Sequence, residues 1–298
     1  MVVLDINNFP SDLYIAQSVL AAHGLTLQLI SADNIPSHLN DSVAAMLFTP
    51  VDYRTGRLLD MAKLTAAAHD HNILTIWDLA HSAGAHEIDV HAIDADFVLG
   101  CGYKFLNGGP GAPSFVWVHP RLVNRAAQPL AGWFSHANPF SFTGEYVPAE
   151  GIQRYACGTP SILAMAALEC GVDTVLASAP FGGMQALRAK SIELSQLFID
   201  CVDQYCDGFD LELVTPREAA LRGSQVSLRH PTHGYAIVQA LIARGIIGDF
   251  RAPDIIRLGF TPLYTRFVDV YDAAIALAEV LTSGEYKDPK FEVRNTVT

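Results

Sequence analysis

The first 120 residues alternate between short apolar runs and stretches in which apolar positions recur at helical spacing. Residues 2–6 (VVLDI) read as a strand. From Asp12 to His23, Leu13, Ala16, Val19 and Leu20 share one helical face, and Gly24 ends the run. "LTLQLIS" and "VAAMLFTP" predict two more strands, and residues 60–71 a helix. "ILTIWD", "DFVLG" and "SFVWVHP" complete the series. Strands alternating with helices predict an α/β domain with a mostly parallel sheet covered on both faces.

After Pro120 the pattern changes. "AGWFSHANPFSFTGEYVP" is a long aromatic excursion with the character of a functional or interface loop. Residues 161–177 and 183–205 predict two long helices. Strand-like "DLELVTP", "SQVSLRH" and "DIIRLGF", with helices over 235–244 and 269–281, predict a smaller α+β domain. The expected division is a large domain over residues 1–180 and a small C-terminal domain over 181–298.

Composition narrows the partners. The chain has 298 residues, is half hydrophobic and carries a formal net charge of −12, which argues against nucleic acid or an anionic membrane surface. No apolar run is expected to reach the ~18 residues of a bilayer span, and the N-terminus lacks the features of a signal peptide. Five cysteines with no CxxC pair suit free thiols in a reducing cytoplasm.

Parallel sheets bind ligands beyond the C-terminal ends of their strands. Thr49 closes one strand, Asp78 closes the next, and Tyr103 and Lys104 lie just past the third. Asp78 and His81, with His86 and His91 beyond, could suggest a metal site. The five-residue spacing of those histidines fits no common ligand pattern, so no metal is expected. A carboxylate at a strand end can cap the turn that follows, or can keep a heterocyclic nitrogen protonated. A lysine in an apolar setting can act as a nucleophile and form a Schiff base. An imine-forming lysine and an aspartate facing a ring nitrogen are the protein's half of pyridoxal phosphate chemistry. The glycines of "NGGPGAP" lack the order of a phosphate loop. Gly100, Gly102 and these later glycines are expected to let the backbone pass close to a cofactor ring.

The stretch "DLAHSAGAHEIDVHAIDADFVLGCGYKFLNGGPGAPSFVWVHP" resembles the cofactor-lysine region of the kynureninase family, fold-type I pyridoxal 5'-phosphate (PLP) hydrolases related to the class V aminotransferases. "NNFPSDLY", "LFTPVDYRTG", "AGWFSH", "GTPSIL" and "IIRLGFTPLYTRFVDVYDA" extend the resemblance, in order, along nearly the whole chain.

The resemblance implies the PLP-dependent transferase fold of type I (aspartate-aminotransferase-like). It makes Lys104 the Schiff-base lysine, and places Asp78 and Asp12 on the pyridine-nitrogen side with His81 in support. Phe9 would stack on the cofactor ring, with Pro10 and Ser11 alongside. Thr49 and Tyr103 would be polar cofactor contacts, Tyr103 doubling as a proton donor. Trp133 and Thr159 would reach the neighbouring subunit's site, which implies a homodimer. Arg257 would grip the substrate α-carboxylate.

The implied reaction is hydrolysis of L-kynurenine or its 3-hydroxy form, by way of a cofactor ketimine, to an anthranilate and L-alanine. The family carries an N-terminal segment on the order of a hundred residues before "FPSD", so the resemblance covers the larger, C-terminal part. The competing readings are a cysteine desulfurase or aminotransferase of the same class, and a non-catalytic remnant. Against a desulfurase, Tyr103 precedes the lysine where those enzymes usually have histidine.

Overall fold

The structure is a computed structural model and describes residues 1–294. The chain divides into two compact units. The first comprises Met1–Pro50, Asp60–Ala83 and Ile88–Thr174; the second comprises Val51–Leu59, Gly84–Glu87 and Val175–Thr298.

The first unit contains β1 (Val2–Asp5), α1 (Pro10–Ala22), β2 (Leu27–Ile30), α2 (Ile35–His38), β3 (Ala45–Phe48), α3 (Met61–His69), β4 (Leu74–Asp78), β5 (Phe97–Cys101), β6 (Ser114–Val118) and α4 (Ile162–Leu176). Its six-stranded sheet has the order β2-β1-β3-β4-β5-β6, parallel except for β6. Alternation along the strands sends Val3, Met46, Phe48, Trp77 and Val98 to one fully buried face. Burying each such large side chain is worth about 1.5–3 kcal/mol.

α3 helps to explain that burial. Asp60 caps it by accepting from Lys63 N, and Met61, Leu64, Thr65 and Ala68 are buried along its length. The Trp77 indole N–H donates to Thr65 Oγ1 at 3.0 Å, which satisfies the one polar atom of the largest core side chain.

Two expectations change. α1 starts at Pro10, whose fixed φ suits the first helical position, and it buries Leu20 with Leu13 and Ala16 half-buried. Val19 falls off this face and is 48% exposed. The second change concerns apolar length. The stretch Ile162–Phe181 is 20 residues long with a mean hydropathy of 1.6, enough to cross a bilayer by length and composition alone. Alanine and cysteine supply much of that hydropathy, and the stretch carries Glu169 and Asp173, both costly at membrane depth.

The second unit contains α5 (Gly183–Tyr205), β7 (Glu212–Leu213), β8 (Gln225–Arg229), α6 (Gly234–Ala243), β9 (Asp249–Arg251), β10 (Ile255–Gly259) and α7 (Phe267–Ser283). Its antiparallel sheet has the order β7-β8-β10-β9. Leu194, Phe198, Ile237, Leu241, Ile256, Ala274 and Leu277 form the centre of a core drawn from all three helices and the sheet. Val51–Leu59 belongs with this unit. Asp52 Oδ1 accepts from Arg54 N, Thr55 N and Thr55 Oγ1, which winds "DYRTG" into a tight turn. That turn is tied down by Thr215 Oγ1 donating to Thr55 O at 2.6 Å and Gln225 Nε2 donating to Tyr53 O at 3.1 Å.

Candidate active site

Several predicted site residues meet in the first unit, beyond the C-terminal ends of its parallel strands. β4 ends on Asp78, which is buried, and Asp78 Oδ1 accepts from Ala80 N at 2.8 Å. The aspartate therefore does cap its turn, and it also shares a side-chain hydrogen bond with Asp12. Asp12, in the first turn of α1, lies beside it. Burial, reinforced by the neighbouring Asp78 carboxylate, pushes Asp12 up to about 7. Burial also raises Asp78, against the Ala80 N–H and the Lys104 charge, which both favour its ionised form. Two carboxyl groups this close do not both ionise easily, so the pair holds a proton at neutral pH.

The Lys104 charge acts on both carboxyl groups. Lys104 Nζ lies 3.0 Å from His81 Nε2, 5.9 Å from the centre of the Phe9 ring and 5.5 Å from that of Tyr103. The amine is half-buried, not sealed in an apolar site, and both aromatic rings are partly open to solvent. Thr49 joins through a residue that sequence reasoning passed over: its Oγ1 donates to Asn8 Oδ1 at 2.7 Å, and the same oxygen accepts from Phe9 N at 2.8 Å. Asn8 is buried and so fixes the backbone that presents Phe9. Its only signal in the sequence was its place inside "NNFPSD". Pro10 is half-buried at the helix start, and Ser11 is exposed next to it.

The glycines around Lys104 have a different reason from the one expected. A Cβ on Gly100 would lie 2.5 Å from Phe115 Cζ, and one on Gly102 would lie 2.8 Å from Leu168 Cδ1 and from Pro113 O. Their missing side chains make room for β6 and α4, so protein packing and not a cofactor ring accounts for them.

The remaining predicted residues lie elsewhere. Trp133 belongs to an aromatic cluster in the loop after β6, with ring centres 4.8 Å from Phe134 and 5.6 Å from Phe140. That loop lines an open depression of about 440 Å³, bordered by Trp133, His136, Asn138, Phe142 and Tyr146 among others. Thr159 is exposed. Arg257 is on β10 of the second unit, buried, and engaged by Asp249 through two hydrogen bonds. Asp249 was not singled out from sequence. It stands eight positions upstream and becomes a neighbour only through the β9–β10 register.

The first-unit cluster suits a flat aromatic cofactor with a protonatable ring nitrogen. Asp12 Oδ2 is buried and receives no hydrogen bond, an acceptor waiting for a donor. An amine within electrostatic reach of a carboxyl pair, with Phe9 nearby to stack on a ring, fits the pyridoxal part of PLP.

Comparison with known proteins agrees. The profile of the kynureninase C-terminal domain matches residues 187–277. A kynureninase of Pseudomonas fluorescens is 48% identical over 301 aligned residues, covering all of this chain and 71% of its own length. One of Burkholderia pseudomallei (strain K96243) is 46% identical with the same coverage. Among solved structures, a C-DES variant with glycine covalently linked to its PLP cofactor superposes with a TM-score of 0.81 at 19% identity, covering 93% of this chain and 74% of that one. The architecture is thus the fold-type I PLP-dependent transferase fold.

Proposed function

Because the chain belongs to the kynureninase family, we propose that the cluster around Lys104 and Asp78 is its PLP site and hydrolyses the Cβ–Cγ bond of L-kynurenine or 3-hydroxy-L-kynurenine. The products are anthranilate or 3-hydroxyanthranilate and L-alanine. The observation that carries the assignment is the placement of the Lys104 amine 3.0 Å from His81 Nε2, beside a buried carboxyl pair whose Asp12 Oδ2 is unsatisfied.

When bound, PLP supplies an electron sink for charge developing at the substrate Cα. The chain's own residues do the rest. Asp12 and Asp78, sharing one proton and one negative charge, would hold the ring nitrogen and favour its protonated form. Lys104 Nζ would hold the cofactor and would take and return the proton at Cα. His81 Nε2 fixes that amine and can share its proton. Phe9 would stack against the ring, and the Tyr103 phenol would donate a proton late in the cycle. Arg257 holds the substrate α-carboxylate in a bidentate grip. Trp133 and Thr159 serve the site of a second subunit in a homodimer, and the acidic surface suits a cytoplasmic enzyme. The desulfurase alternative rests on a likeness of fold at under a quarter identity, which carries no substrate.

Anthranilate fluorescence tests the proposal directly. The PLP-loaded chain should release anthranilate from L-kynurenine, and Lys104→Ala should lose at least about a thousandfold in kcat together with the borohydride-reducible absorbance of the cofactor. Release of sulfide from cysteine without anthranilate formation would sink it.

A further inference from the structure

Arg257 and Asp249 face each other directly across β10 and β9. Arg257 Nε donates to Asp249 Oδ1 at 2.8 Å and Nη2 donates to Oδ2 at 2.5 Å, a side-on fork. Nη1 donates to Tyr53 O at 2.5 Å, on the turn tied to this sheet. A guanidinium has five N–H groups, one on Nε and two on each Nη. These three contacts use the Nε–H and one N–H from each Nη. One N–H therefore remains on Nη1 and one on Nη2, and the one on Nη2 lies at the end-on edge of the guanidinium, where a carboxylate oxygen can accept it.

The charge is also suited to an anion. Asp249 Oδ2 accepts from Arg251 Nη2 as well, at 3.1 Å, so the trio of Arg251, Asp249 and Arg257 carries one net positive charge. Arg257 is buried, and an arginine in such a place holds one orientation only if its partners fix it.

We propose that Asp249 is a positioning residue for substrate recognition: by holding the side-on edge of Arg257, it leaves the end-on edge for the α-carboxylate of the amino-acid substrate. This rests on the assignment of Arg257 given above. Asp249 does not touch the substrate and acts through the arginine alone. Its effect belongs in KM and only for ligands that carry the carboxylate.

The charge makes the alternatives separable. If Asp249 acted only by tempering the positive charge, neutralising it would strengthen the pull on an anion and lower KM. If it were only a structural ion pair, its loss would weaken all ligands alike. Steady-state kinetics of the PLP-loaded full chain with L-kynurenine, and competitive inhibition by the decarboxylated amine of the same compound, distinguish the three. Asp249→Asn should raise KM about tenfold or more, with kcat within about threefold and the inhibition constant of the amine within about twofold. Asp249→Glu keeps the charge but not the fork and should fall between; it decides the matter if the asparagine variant does not fold. In an Arg257→Gln background, Asp249→Asn should add nothing further to KM. An unchanged or lowered KM in the Asp249 variants, or an amine constant rising in step with KM, overturns the proposal. If Arg257→Gln itself leaves KM unchanged, the reading of Arg257 falls and this inference with it. If Arg257→Gln raises KM and the Asp249 variants do not, only this inference falls.

Discussion

Asp12 offers the clearest physical test at the scale of single residues. Its carboxyl is pushed from 3.8 up to about 7, first by burial and then by the Asp78 charge. Before PLP is loaded, the folded chain therefore keeps a proton at pH 5–6 that the unfolded chain has lost. Stability from this group is full below pH 3.8 and declines as the pH rises through about 7. Asp12→Asn removes the charge without changing the shape. Its apo form should melt a few degrees higher than the parent at pH 8, on the order expected for 1 kcal/mol or so, with little difference at pH 4. An equal offset at both pH values would show that the carboxyl is not titrating as described. The same variant should bind PLP more weakly, because a neutral amide replaces the carboxyl whose charge would favour a protonated ring nitrogen. Lys104 and Asp78 were legible in the sequence, one an amine after an apolar strand, the other a carboxylate closing one. Asn8 and Asp249 were not, since each acquires its role only when the fold brings distant backbone against it.

At the level of elements, periodicity placed the helices and strands well and missed what lies between them. β9 was not anticipated because Asp249–Arg251 is three residues long with charged side chains at both ends, which carries no apolar alternation. The glycine readings failed for a related reason: a close approach shows that something comes near, not what. Gly171 in α4 makes this concrete. A Cβ there would sit 2.5 Å from Leu106 O and from the Asn107 carbonyl carbon, backbone atoms just after Lys104. Asn107 Nδ2 then reaches Thr174 Oγ1 at 3.1 Å and fastens the helix to the same turn. Alanine for glycine inside a helix ordinarily gains up to about 1 kcal/mol. Here the backbone cannot yield as a side chain could, so Gly171→Ala should instead cost about 1–3 kcal/mol. Thermal melts against the parent chain check the sign, and a higher melting temperature would mean that α4 does not pack as closely as described.

For the whole molecule, the exposed apolar surface and the shared-site reading converge on association. Phe140 and Phe142, beside Trp133, are 74% and 82% exposed, and Leu163 on α4 is 86% exposed. Single apolar side chains on a surface need no explanation, but exposed aromatic rings gathered beside Trp133 mark an interaction site. The dimer proposed above makes a quantitative claim about Trp133. If it serves the partner's site, a mixed dimer of Lys104→Ala with Trp133→Ala concentrates both lesions in one site and leaves the other intact. Random pairing at equal amounts makes about half of all dimers mixed, each with one good site of two, so activity should recover to about a quarter of the parent's. If Trp133 serves its own subunit, every site in the mixture keeps one lesion and nothing recovers. The experiment needs each variant inactive alone and the subunits exchanged by brief unfolding and refolding together, with light scattering to verify the dimer. No recovery in a mixture proven to be dimeric would return Trp133 to its own subunit and remove the case for a shared site.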